Sequence, residues 1–254
     1  MVLQRERRDF VEVLTLDRPD AANSLNGELL GALTDTFDEL RTDDAVRVVV
    51  LTGAGDKVFC AGMDLKAFSE AGTAGVSERG RGADFSLMRD GFEKPVVAAV
   101  NGAAVGGGFE LVLGCDLVVA AEHARFGLPE VKRGLLPAGG GTLLGTRLPL
   151  ALALEVALTG EYVGAAQAAT WGLVNRVVPA DQLLDAALEL AGKVAANGPR
   201  AVQVTKRLTR EAVTVDPQRG WASPEDIGSV FGSEDAREGA LAFMERRPPR
   251  WVGR

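Results

Sequence analysis

Two glutamates and a run of glycines are the parts of this sequence best suited to chemistry. Gly106, Gly107 and Gly108 follow the apolar run Val96–Val100 and precede a second apolar stretch that begins at Phe109. Three glycines inside a helix are costly, because glycine loses the most backbone freedom on folding. They fit a turn where backbone approaches another group closely. If a helix starts at Gly107, its first N–H groups have no partner within the helix and its dipole is positive there. An oxyanion at that point meets ready-made donors. Glu110 follows within one helical turn. Glu130 ends the segment Ala124-Arg125-Phe126-Gly127-Leu128-Pro129-Glu130, beside an apolar strip, and Pro129 keeps the preceding residue extended. A carboxylate in apolar surroundings holds its proton closer to neutral pH, which suits proton transfer. Two such groups make an acid/base pair only if the fold brings them together, and spacing alone does not require that. A solvated surface glutamate, or a glycine turn kept only for packing, fits the same residues.

Other chemistries find little support. The chain has one histidine, His123, in the polar stretch Ala121-Glu122-His123-Ala124-Arg125, which reads as a surface turn. A metal site with several histidine ligands is therefore excluded, and a histidine-dependent triad would need that one residue. Cys60 and Cys115 form neither a disulfide framework nor a zinc pattern. There is no P-loop and no nucleophile elbow, and Gly53-Ala54-Gly55 has Val58 where a dinucleotide fingerprint needs its third glycine. The net charge of −7 argues against a general nucleic-acid or anionic-membrane surface. The first ten residues, MVLQRERRDF, are charged and do not read as a secretory leader, and no run approaches the ~18 apolar residues of a membrane span. The expectation is a cytoplasmic protein.

The elements that must position these groups follow from hydrophobic periodicity. With 254 residues, 46% of them hydrophobic, the chain can bury one large core. Phe10–Leu16 alternates like a half-buried strand and is broken by Pro19. Leu25, Leu29, Leu30, Leu33, Phe37 and Leu40 have helical spacing. Val46–Leu51, Val96–Val100 and Leu117–Ala121 are continuous apolar runs, as expected for strands covered on both faces of an α/β fold. The stretch 69–83 is rich in Gly, Ser and charge, and reads as a surface loop or as a lid beside a site. Beyond residue 141 the pattern turns helical, over Thr142–Leu148, Ala151–Thr159, Ala165–Trp171, Asp181–Ala196, Arg200–Glu211 and Glu234–Glu245, with a short strand at Leu173–Val178.

Taken together, the segments resemble the enoyl-CoA hydratase (crotonase) family. The markers are Leu16-Asp17-Arg18-Pro19 with Asn23-Ser24-Leu25, FCAGMDLK at 59–66, KPVVAAVNGAAVGGGFEL at 94–111, the stretch 115–141, Gly172-Leu173-Val174-Asn175, and SEDAREGALAFMERRPPRW at 233–251. The stretch FGLPEVKRGLLP, the GGGFEL segment and the SEDAREG ending are also similar to the crotonobetainyl-CoA hydratase branch. The resemblance implies an α/β crotonase spiral of β–β–α turns over residues 1–195. It implies a helical C-terminal region over 196–254 for assembly into a homotrimer or a dimer of trimers. The partner it implies is an acyl-CoA thioester substrate; coenzyme A arrives with that substrate, so no separate cofactor, metal, nucleic acid or membrane is expected.

The family's oxyanion hole, two backbone N–H groups, falls on Met63 and Gly107. Its two hydratase glutamates fall on Glu110, which would orient and deprotonate the water attacking the β carbon, and Glu130, which would deliver a proton to the α carbon. Ala22, Ala61, Lys66 and Arg246 fall at positions around coenzyme A. Asp20 is a departure, since many relatives carry a basic residue there. Keeping both glutamates favours enoyl-CoA hydration. The alternatives are another crotonase-type reaction such as double-bond isomerisation, or an RNA-binding or scaffold role that the acidic balance disfavours.

Overall fold

Strands covered on both faces need apolar side chains at every position, and three of the runs above supply them. In the computed structural model, which describes residues 1–64, 92–214 and 223–253, β3 (Val48–Gly53), β5 (Val96–Val100) and β7 (Leu117–Ala121) lie side by side and parallel. β1 (Leu3–Arg8) and β2 (Val11–Leu16) form an antiparallel pair at one edge of this sheet, and β10 (Arg176–Val178) closes the other. The period of two sorts its side chains. Val13, Val50, Val97 and Val119 face helix α5 (Leu183–Ala195), whose Leu183, Ala187, Ala191 and Ala195 recur every fourth residue. Small alanines let that helix lie close. Leu14, Leu51, Ala98 and Val118 face the opposite way, into the core that also receives Leu29, Leu33, Phe37 and Leu40 of α1 (Gly27–Thr42). Burying each of these large side chains contributes about 1.5–3 kcal/mol. Asn26 caps α1 by accepting the Leu29 N–H at 2.9 Å.

β3, β5 and β7 each continue into a short strand of a second sheet. β4 (Val58–Cys60), β6 (Ala103–Val105) and β8 (Arg125–Gly127) are parallel, and β9 (Val163–Gly164) adds antiparallel to β8. Helix α2 (Gly107–Gly114) then leads from β6 back to β7. The repeat is the expected spiral of β–β–α turns. The short strands are too brief to show a period in the sequence.

The helical second half departs from its sequence reading in detail. The segment expected as helix over Thr142–Leu148 is a 3-10 turn at Gly141–Thr146. α3 (Leu150–Thr159) and α4 (Ala165–Thr170) follow, and the expected strand at Leu173–Val178 shrinks to β10. A 3-10 turn at Ala180–Gln182 delays the start of α5 to Leu183, and α7 (Pro224–Phe231) was not expected at all. α6 (Pro199–Thr214) is held to the core by charge. Lys206 and Arg210 each reach Asp116 at 2.8 Å, and Lys206 also donates to the carbonyls of Phe92 and Lys94. Beyond α8 (Glu234–Glu245), Trp251 returns to the end of α5, its indole N–H donating to the Ala196 carbonyl at 2.6 Å. No helix among the described residues is long and apolar enough to cross a membrane.

Candidate active site

The helix at the glycine run starts at Gly107. Gly106 is the N-cap, with φ 53° and ψ −124°, a region closed to residues with a Cβ. This turn throws the backbone of β6 into α2, and the carbonyl of Gly106 takes the Glu110 N–H at 2.9 Å. Gly62, with φ +89°, brings a second backbone segment against the turn. A Cβ built on Gly62 would stand 2.7 Å from the Val105 carbonyl and 3.0 Å from the Gly107 nitrogen. From the other side, a Cβ on Gly107 would stand 3.6 Å from the Met63 nitrogen. The amides of Met63 and Gly107 therefore border the same space. Gly107 is the first helical residue, so its N–H has no acceptor within the helix. Met63 pairs with Leu25 in a single parallel bridge, whose bonds run from Leu25 N–H to the Gly62 carbonyl (2.8 Å) and from Asp64 N–H to the Leu25 carbonyl (3.0 Å). Neither the Met63 nor the Gly107 N–H donates to any of the described residues.

Glu110 occupies the first turn of α2 and is 6% exposed. One carboxylate oxygen accepts the Gly141 N–H at 2.8 Å. Burial pushes the Glu110 carboxyl above its ordinary pKa; the Gly141 N–H opposes this, and the charge of Glu130 adds to it. Glu130 stands in the first turn of a 3-10 segment at Pro129–Arg133, which Gly134 ends with φ 67°. Burial likewise raises its pKa, outweighing its own backbone N–H and Arg133. Its Oε1 lies so near the glycine turn that a Cβ on Gly106 would meet it at 2.8 Å. Its Oε2 is buried with no hydrogen-bond partner among the described residues. The two carboxylates thus flank the turn that presents the two amides. Both carboxyls are pushed toward the protonated form, chiefly by burial.

The remaining residues implied by the resemblance divide. Ala22 and Ala61 are brought together, the Ala61 N–H donating to the Ala22 carbonyl at 3.0 Å, and Ala61 is exposed beside Met63. Lys66 and the stretch 69–83 lie outside the described residues. Arg246 is the exposed C-cap of α8, with φ 53°, in the C-terminal helical part of the chain. His123 is an exposed turn residue whose Nε2 is 2.7 Å from the Asp56 carbonyl. Sequence reasoning missed Gly141 as a partner of Glu110; the run Gly139-Gly140-Gly141 was the available signal. A cavity of about 380 Å³ opens between α6 and the C-terminal end of α2, lined by Leu113, Leu117, Val194, Lys206 and Arg210. It lies at the end of α2 remote from Gly107, about 10 Å away along the helix, and neither carboxylate lines it.

A helix-start amide at Gly107 and the Met63 amide beside it, neither donating to any described residue, stand next to two carboxylates of raised pKa on a β–β–α spiral, an arrangement that suits a class of enzyme that stabilises an oxyanion. Enzymes of that class bind a carbonyl whose oxygen gains negative charge while acids move protons nearby. Comparison with known proteins supplies the family. Residues 6–254 match the enoyl-CoA hydratase/isomerase family, and the chain belongs to it. It is similar to proteins named carnitinyl-CoA dehydratase: 43% identical to that of Salmonella arizonae (99% of this chain, 98% of the relative) and 41% to that of Proteus mirabilis (97% of each). Among solved structures it resembles an enoyl-CoA hydratase from Mycobacterium tuberculosis, with 46% identity, TM-score 0.88, and 100% and 99% of the two chains covered. It also resembles an enoyl-CoA hydratase from Bacillus anthracis, with 35% identity, TM-score 0.93 and 100% of each chain covered. The protein is an enzyme of the lyase class, a hydratase of CoA thioesters.

Proposed function

We propose that the enzyme adds water reversibly and syn to a trans-2-enoyl-CoA, giving a 3-hydroxyacyl-CoA. The observation that carries this reading is the juxtaposition of the Met63 and Gly107 amides, which donate to none of the described residues, with two carboxylates, the buried Glu110 and the half-buried Glu130. The thioester oxygen accepts from both amides, and negative charge grows on it as the enolate forms. Losing one such donor costs on the order of 3–4 kcal/mol of barrier. Ionised Glu110, oriented by Gly141, takes a proton from the water whose oxygen bonds to the β carbon. Protonated Glu130 gives its proton to the α carbon as the enolate electrons return. Water then carries the proton from Glu110 to Glu130, and the cycle closes with one water consumed. The reverse sequence dehydrates the 3-hydroxyacyl thioester.

Ala22, Ala61, Lys66 and Arg246 are the positions we assign to coenzyme A, with the adenine against the backbone near Ala61. The assembly we propose is a homotrimer or a dimer of trimers. Leu150, Leu154 and Leu158 make an apolar stripe on α3 (66%, 44% and 69% exposed), and Phe231, Phe243 and Met244 are also exposed. A lone chain rarely leaves that much apolar surface in water. Light scattering coupled to size exclusion checks it; a monomer at micromolar concentration contradicts it.

Loss of the conjugated thioester absorbance on mixing with a trans-2-enoyl-CoA tests the activity. Glu110→Gln and Glu130→Gln are each expected to lower kcat at least a thousandfold with the fold intact; full activity in both refutes the mechanism. For the acyl group, the relatives named carnitinyl-CoA dehydratase favour a second reading, in which the same chemistry runs on carnitinyl-CoA. Comparing kcat/KM for carnitinyl-CoA with that for unsubstituted 3-hydroxyacyl-CoA thioesters decides between the two.

A further inference from the structure

We infer that Arg18 is a positioning residue of the oxyanion hole, acting through its ion pair with Asp64; this rests on the hydratase reading above. The two amides of the hole are held very differently. That of Gly107 is fixed by a regular helix. That of Met63 belongs to an irregular segment, and what orients it is a short ladder with residues 22–25. Ala61 N–H bonds the Ala22 carbonyl (3.0 Å), Leu25 N–H bonds the Gly62 carbonyl (2.8 Å) and Asp64 N–H bonds the Leu25 carbonyl (3.0 Å). These contacts bracket Met63 on both sides.

The supporting strand of this ladder is itself strained. Ala22 and Asn23 are consecutive left-handed residues, with φ 50° and 52°, and neither is glycine. Such residues persist only where their surroundings over-determine them. Arg18 is the centre of that determination. Its carbonyl accepts from the N–H groups of Ala21 and Asn23, and its own N–H donates to Asn23 Oδ1 at 3.0 Å. Its guanidinium then spans both strands of the ladder. Nη1 donates to the Ser24 carbonyl and to Ser24 Oγ, and Nη2 donates to Asp64 Oδ2 at 3.0 Å. Arg18 and Asp64 are each 17% exposed, so the pair is shielded from solvent and little screened. The planar fork reaches Ser24 and Asp64 through two separate nitrogens, Nη1 and Nη2, a fixed geometry that the flexible point charge of a lysine does not reproduce. Arg18 thereby fixes where the Met63 N–H points without touching the substrate.

Arg18→Lys and Asp64→Asn test this, with a CoA thioester of a para-dialkylaminocinnamic acid as a spectroscopic probe. Its absorption moves to the red as donors polarise the thioester carbonyl. In each variant we expect kcat for a trans-2-enoyl-CoA to fall about 10- to 100-fold, less than for outright loss of a donor. KM should stay within about threefold of wild type, because the misplaced amide matters most as charge builds on the oxygen, and the red shift should shrink. The direction of that shift separates positioning from a through-space field. Removing the Asp64 charge leaves Arg18 uncompensated near the hole, and a field effect alone would deepen the shift. Asp64→Asn is nearly isosteric and decides the matter if Arg18→Lys does not fold. Wild-type kcat and wild-type red shift in Asp64→Asn, or a deeper shift, overturns the inference. If the wild-type enzyme hydrates no enoyl-CoA, the hydratase reading falls instead, and the probe's shift still decides the role of Arg18.

Discussion

Gly106→Ala puts one methyl group where the site has no room for it. The backbone there, φ 53° and ψ −124°, is open only to glycine, and forcing alanine into such a region costs about 1–3 kcal/mol. For a chain of this size a loss of 2 kcal/mol lowers Tm by about 4–8 °C. The second effect is on the chemistry. The new Cβ would stand 2.8 Å from Glu130 Oε1. The carboxylate must retreat by roughly half an ångström or more to restore ordinary contact. A misplacement of about 1 Å costs on the order of a hundredfold in rate, so kcat should fall about 10- to 100-fold. Gly55→Ala separates the two effects. Gly55 also has a positive φ, +84°, but nothing lies within 4 Å of its would-be Cβ. It should therefore lose stability on a similar scale and keep its kcat. The assay is initial-rate hydration of a trans-2-enoyl-CoA beside calorimetric melting. A Gly106→Ala enzyme with wild-type kcat, or a Gly55→Ala enzyme equally slowed, refutes the geometric argument.

Burial holds the carboxyls of Glu110 and Glu130 above their ordinary pKa, so the acid limb of the kcat/KM profile should lie above the ~4.3 of a free glutamate. The same shift has a stability consequence. A carboxyl whose folded pKa exceeds its unfolded value favours folding while protonated, and that advantage is lost as pH rises through the raised pKa. Glu130→Gln should therefore raise Tm relative to wild type at pH 8 and change it little below about pH 4; the opposite order contradicts burial as the cause. Asp116→Ala leaves Lys206 and Arg210 without their shared anion. Stranding partly buried cations costs about 3 kcal/mol, so denaturant titration should show an unfolding free energy lower by that size. Gly31 lies exposed within α1 with no atom within 4 Å of a would-be Cβ; Gly31→Ala should stabilise by about 0.5–1 kcal/mol, and an unchanged melting curve contradicts that.

The sequence by itself determined the strands and helices whose periodicity is long or whose faces are uniformly apolar. Val96–Val100 and Leu117–Ala121 read as buried strands and Leu29 to Leu40 as one helix face, and the structure agrees. It also pointed to a turn at the three glycines, which the structure resolves as a helix start at Gly107. Local constraint is strong there, and neighbours in the chain are neighbours in space. Tertiary structure alone decided the rest. Strands of two or three residues, such as β6 and β8, exist only because a partner strand supplies their hydrogen bonds. Met63 and Gly107 are 44 positions apart, and their amides border one space only because Gly62 packs on the carbonyl of Val105. Glu130 lies at the same turn because the next revolution of the spiral returns it there. Whether a carboxylate is solvated or catalytic depends on such long-range burial, which no pattern in its own neighbourhood encodes.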